Sequence, residues 1–275
     1  RITTKETILR PNSSIIFITS NLLRKDSITM LKLFFSTEPF IKIQHMIFSK
    51  KITNNKKILD AYLESIEKII KDNSLKSEQK KAVINGLIKS LTCGIQSDLN
   101  LKLITTGYET FDIHFDNSFP RLSFCPHCYQ LLPSKTTFNY KTAVSLAHDP
   151  IISPIWRHDR LIKTLAFVGM DVNNPFKYDK ANHFDLSYIK YLGIFWNGNG
   201  LHSTNSGILK GEGTLFTNGI IDMTEILKCY NFDGMFYIHK NCNQPILKAS
   251  DFRFGIIFEI GKILLKYKID FVVPD

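Results

Sequence analysis

No apolar run in this chain reaches the roughly 20 residues that a membrane-spanning helix needs. The nearest stretch, Phe252 to Leu265, is interrupted by Arg253, Glu259 and Lys262, so no membrane partner is expected. Cysteine is scarce: five residues in 275, an odd number and too few for a disulfide scaffold. With no visible signal segment, a reducing cytoplasm is the expected compartment. Several well-marked catalytic motifs are also missing. There is no Walker loop, no His-Glu-x-x-His helix, no Gly-x-Ser-x-Gly elbow and no Gly-x-Gly-x-x-Gly turn, which removes the enzyme classes those motifs identify. Neither an internal repeat nor a low-complexity linker is present.

What remains is an ordinary globular composition, 44% hydrophobic and 22% charged, long enough for one large or two modest domains. The net charge of +10 is unevenly placed. Residues 1–105 hold 18 Lys and Arg against 9 Asp and Glu, whereas residues 106–275 hold 17 against 16. A basic excess of this kind suits a polyanion such as nucleic acid. Lysine-rich runs such as residues 50–57 are equally what an AT-rich genome writes onto a solvated surface.

Hydrophobic spacing predicts a mainly helical module over residues 1–105. Ile58, Leu59, Tyr62, Leu63, Ile66, Ile69 and Ile70 recur at helical intervals, and Val83, Ile84, Leu87, Ile88 and Leu91 repeat the pattern after a polar break at 72–77. Together they read as a helical hairpin. Upstream, Asp26 or Ser27 is a candidate cap, Thr37-Glu38-Pro39 a helix entry, and Ser13–Thr19 a strand or buried turn. From about residue 101 the texture changes to aromatics, glycines and short apolar runs. Residues 103–115 read as extended, Asp159–Phe167 as a helix stopped by Gly169, and Tyr188–Trp196 as one apolar strand ended by the turn Asn197-Gly198-Asn199-Gly200. Further downstream the pattern predicts a helix from Ser203 to Leu209, a strand at 217–222, a helix at 224–229, an extended segment at 235–239, and a terminal helix capped by Ser250. Residues 106–275 thus form a mixed domain, and the fold class is α+β.

Two short motifs carry chemistry. Cys125-Pro126-His127-Cys128 resembles the active-site stretch of thioredoxin-fold disulfide oxidoreductases over about eight residues. That chemistry needs the first cysteine at a helix N-terminus, and Pro133 leaves little room for one. The other reading is a metal knuckle in which Cys125 and Cys128 aim two thiolates at one zinc ion. His114, His127, His148, Cys229 and Cys242 are the candidates to complete it, and no spacing selects among them. A third reading leaves both thiols reduced in a turn.

The second motif lies in residues 188–213. A strand, a glycine turn and His202-Ser203 opening a helix would place free backbone amides at one spot, suited to phosphate. Gly198, Gly200, His202, Ser203 and Thr204 are the expected ligand-binding residues; His202 and Asp222 are the catalytic candidates. The order of elements over residues 143–230, with the Gly200-x-His202 turn, resembles the ParB/sulfiredoxin-like superfamily, and an uncharacterised bacterial family with a Gly-Asn-His-Ser signature. That resemblance implies a helix that contacts phosphate, although Ser203 stands where the superfamily usually has arginine, and a fixed bidentate donor is lost with it. The expected activity is binding of nucleic acid or a nucleotide. The alternatives are a ParB-like nuclease or ATP-using enzyme, and a zinc-stabilised protein-interaction module.

Overall fold

The computed structural model describes residues 38–107, 113–120, 125–131, 135–138 and 140–272. The expected features at Ser13–Thr19 and after Asp26 lie outside these residues. The chain divides into two compact units, Arg1–Ile47 and Phe48–Asp275. The described part of the first is one helix, α1 (Glu38–Ile47), and it begins at the anticipated Glu38-Pro39 entry.

In the second unit, the expected helical hairpin is α2 (Ser49–Lys71) and α3 (Ser77–Thr106). Each buries most of the predicted stripe, Leu59, Ile66 and Ile70 on α2 and Ile84, Ile88 and Leu91 on α3, while Ile58 and Val83 are exposed. The extended reading of residues 103–106 is corrected. Helix α3 runs on through Ile95, Leu99 and Leu103, all buried, and stops at Gly107, whose φ of 64° supplies the left-handed C-cap that glycine adopts without strain. A short helix, α4 (Phe115–Ser118), follows.

The remaining elements are strands β1 (Lys135–Phe138), β2 (Ala143–Ser145), β3 (Ile151–Ile152), helix α5 (His158–Phe167), β4 (Leu186–Lys190), β5 (Ile194–Asn197), α6 (Leu201–Lys210), β6 (Thr214–Phe216), β7 (Gly219–Asp222), α7 (Thr224–Cys229), β8 (Tyr230–Phe232), β9 (Phe236–His239), β10 (Gln244–Lys248) and α8 (Phe252–Tyr267). The single apolar strand expected over 188–196 is two. Tyr191 and Gly193, with φ of 63° and 66°, fold it into the antiparallel hairpin β4–β5. Asp251, rather than Ser250, caps the last helix by accepting the N–H of Arg253 at 2.8 Å.

Five strands form one mixed sheet in the order β1-β7-β4-β5-β3. The pairs β4–β7 and β3–β5 are parallel, the others antiparallel. Consecutive residues point to opposite faces of a strand, and here both faces are covered. Ile152, Ile189 and Ile194 join the large core that contains α2, α3, α7 and α8. Their neighbours Ile151, Tyr188 and Phe195 join a smaller core with Val144, Leu146 and Leu215. The strands therefore read as continuous apolar runs, as sheets buried on both faces do. A separate antiparallel sheet, β10-β9-β8, packs beside α8. Among the described residues, no helix is long and apolar enough to cross a membrane.

Candidate functional site: an anion cleft and a Cys3His cluster

The turn after β5 is built by close approach. Gly198 donates its N–H to Asp185 O at 2.7 Å, and a Cβ there would fall on the Asp185 carboxylate. Gly200 has a φ of 64° and no space for a side chain, since a Cβ would lie 2.3 Å from Cδ2 of His183. It is the N-cap of α6, so the amides of Leu201, His202 and Ser203 open the helix, as the sequence implies. They border a cleft of about 450 Å³ whose other walls include Trp156, Arg160, Lys163 and Asn182. Both cations come from α5, whose first turn is tied to α6: the N–H of Arg157 donates to Nε2 of His202 at 3.1 Å. Burial, reinforced by the Arg160 cation, pushes His202 down to about 4. The imidazole is neutral at pH 7 and Nε2 already accepts a hydrogen bond, so His202 shapes the wall rather than adding positive charge.

Ser203 is held differently. Its hydroxyl donates to Gly200 O at 3.0 Å and lies 2.9 Å from Nε2 of His183. Nδ1 of His183 accepts the N–H of Asp179 at 3.0 Å, so Nε2 carries the proton and donates to Ser203. Burial pulls His183 below its ordinary value, which keeps this neutral tautomer. Thr204 is fully buried and does not line the cleft. Asp222 sits at the end of β7, 3.3 Å from Lys190 and capping Thr224 at 2.8 Å; it is not a cleft residue.

Helix α6 is seated by a buried polar network that periodicity did not reveal. Gln96 donates from Nε2 to Ser153 O at 2.9 Å and to Asn205 Oδ1 at 2.8 Å, while its Oε1 accepts the N–H of Ser153 at 3.0 Å. Asn100 and Asn205 exchange amide hydrogen bonds of 3.0 and 2.9 Å. Ser153 Oγ then donates to Leu201 O at 2.9 Å. The N-terminal turn of α6 is thereby fixed to α3 and to the loop after β3.

The cysteine motif has partners. Residues 125–128 open no helix; they form a turn closed by Cys125 N–H to Gln130 O and Tyr129 N–H to Cys125 O, both 2.8 Å. Facing it is the β9–β10 hairpin, where His239 ends β9 and Cys242 lies in the turn closed by Asn243 N–H to His239 O at 2.8 Å. Cys125, Cys128, His239 and Cys242 bring one ligand atom each to within 4.8 Å of one another. The separations are 3.7 Å for the sulfurs of Cys125 and Cys242, 3.6 Å from Cys128 Sγ to His239 Nδ1, and 3.4 Å from that nitrogen to Cys242 Sγ. Burial pushes the Cys242 thiol up to about 11, whereas the Gln130 N–H holds Cys128 below the usual thiol range. Nε2 of His239 is buried and without a hydrogen-bond partner among the described residues. These four side chains could hold a metal ion. Cys242 comes from the sequence candidates; His239 was missed, although His239-x-x-Cys242 repeats the spacing of Cys125-x-x-Cys128. His114, His127, His148 and Cys229 are not in the cluster.

The model of a family of unknown function, DUF6710, matches residues 44–271. The chain belongs to that family. The match takes in the cleft and all four cluster residues. No curated protein and no solved structure matches the chain.

Proposed function

We propose that this DUF6710 member binds a phosphate-bearing ligand, a nucleotide or nucleic acid, in the cleft at the start of α6. The observation that carries the reading is the convergence of the α6 N-terminal turn with Arg160 and Lys163 on one cavity. Helix N-terminal amides and two cations complement the same negative charge. The resemblance to the ParB/sulfiredoxin group rests on the same turn. Thymidine monophosphate and pyrophosphate are suitable probes by calorimetry. Lys163→Ala with Arg160→Ala should weaken both at least about tenfold, the scale of losing a charge-assisted hydrogen bond. Equal affinity in wild type and double variant would remove the cleft as the site.

A second reading, of a different kind, is favoured by the cluster: Cys125, Cys128, His239 and Cys242 hold a structural zinc ion. With Zn–S near 2.3 Å and Zn–N near 2.0 Å, a tetrahedron has S···S edges of about 3.8 Å and S···N edges of about 3.5 Å. The separations of 3.7, 3.6 and 3.4 Å fit that figure. Four protein ligands leave no open position, as in structural rather than catalytic sites. Purified protein should carry one zinc per chain by mass spectrometry under native conditions. His239→Ala and Cys242→Ser should each lose it, and metal-free wild type would end this reading.

A further inference from the structure

We infer that the ligand is a single-stranded nucleic acid, laid from the cleft into a second, aromatic groove on the far side of His183; the inference rests on the phosphate reading of the cleft and extends it. The groove, of about 410 Å³, is lined by Lys141, Tyr178, Lys180, Phe184 and Phe216 among others. It adjoins the cleft through one contact: His183 lines the groove, and Ser203, bonded to its Nε2 at 2.9 Å, lines the cleft. Asn182, the preceding residue, also lines the cleft. One loop, residues 176–185, thus forms part of both cavities.

The groove has the composition that single strands select. Phe184 is 54% exposed and Tyr178 37% exposed, and both line the groove beside Lys141 and Lys180. Tyr178 meets Phe216 edge-on at 5.1 Å, and Lys141 Nζ sits 5.0 Å over the Phe216 ring. A purely apolar partner would leave Lys141 and Lys180 desolvated and unpaired, whereas a polynucleotide offers a base to each ring and a phosphate to each cation. Of the acidic groups nearby, Asp179 accepts the N–H of Ala181 at 2.9 Å and the amide of Asn182. A duplex keeps its base faces stacked internally and cannot present them to Tyr178 or Phe184. A mononucleotide fills one cavity and leaves the other unused.

The test is fluorescence anisotropy with a labelled oligothymidylate of about 12 nucleotides, a length one single-strand-binding fold covers. A duplex of equal length and thymidine monophosphate serve as competitors. The single strand should bind more tightly than either, with an affinity that falls as salt rises. Phe184→Ala with Tyr178→Ala should weaken the oligonucleotide by about 5- to 150-fold per stacked base lost, leave thymidine monophosphate unchanged, and preserve the circular dichroism spectrum. Arg160→Ala should weaken both ligands. A duplex bound as tightly as the single strand, or an oligonucleotide indifferent to Phe184 and Tyr178, overturns the track. Thymidine monophosphate binding that depends on Arg160 would in that case leave the cleft reading standing; absence of any phosphate binding would remove both.

Discussion

His202 shows how one side chain in a cavity wall can also bear on stability. Its neutral imidazole accepts the Arg157 N–H, and its affinity for protons falls to about 4 in the folded chain against an ordinary value near 6.5. The folded state therefore resists protonation more than the unfolded one. This contribution to stability is complete above about pH 6.5 and declines as the pH falls toward 4, at about 1.4 kcal/mol per pH unit. His183 is shifted in the same direction, so the two add. Urea unfolding at pH 7 and pH 5 should show a smaller loss in His202→Gln than in wild type, by about 2 kcal/mol. Identical losses would mean that the buried imidazole is not the titrating group. Gly200 is the other single position on which the cleft turns. Alanine there would combine a φ of 64° with a clash against His183, and should lower stability by about 1–3 kcal/mol while abolishing phosphate binding.

Among the elements, α3 best explains what the sequence could disclose. Its first half carries an unbroken apolar stripe as far as Leu91, which is why a helix was evident there. In its second half the stripe continues through Ile95, Leu99 and Leu103, but Thr92, Gln96 and Asn100 also turn inward and dilute the pattern, and residues 103–115 look extended. Those polar residues face the core because Asn205 and Ser153 satisfy them, partners more than fifty positions away that no local period can announce. The same kind of distance hid His239: its strand and the Cys125–Cys128 turn were each legible, while their meeting was not. By contrast, the glycine turn and the α6 helix were legible because their signals are local. Asn205→Ala should cost about 1–3 kcal/mol by stranding the Gln96 and Asn100 amides, seen as a lower urea midpoint. Gly255→Ala tests packing on α8. Alanine favours helix, yet a Cβ would lie 2.0 Å from the Phe232 ring, so a net loss of about 1–3 kcal/mol is expected. A stabilised variant would contradict the packing described for α8.

For the whole molecule, the fold class was legible and the connections between distant segments were not. The mixed α and β character follows from two textures in the sequence, helical stripes before residue 100 and short apolar runs after it. The two layers that cover the five-stranded sheet come from chain segments far apart, which only tertiary packing brings together. At this scale the Cys3His cluster gives the clearest expectation. Chelation with a strong zinc ligand should lower the thermal midpoint, with the largest gain in amide hydrogen exchange confined to residues 125–131 and the β9–β10 hairpin. Uniform deprotection along the chain would argue instead for global unfolding.

One dimension of that cluster bears on when it could take up a metal. Cys128 and His239 stand 111 positions apart, so the upstream thiols emerge from a ribosome long before the imidazole and last sulfur exist. A metal held by all four could be captured only after residue 242 has been added. A chain halted before residue 239 would offer a metal two of the four ligands, and completion of the hairpin would close the set.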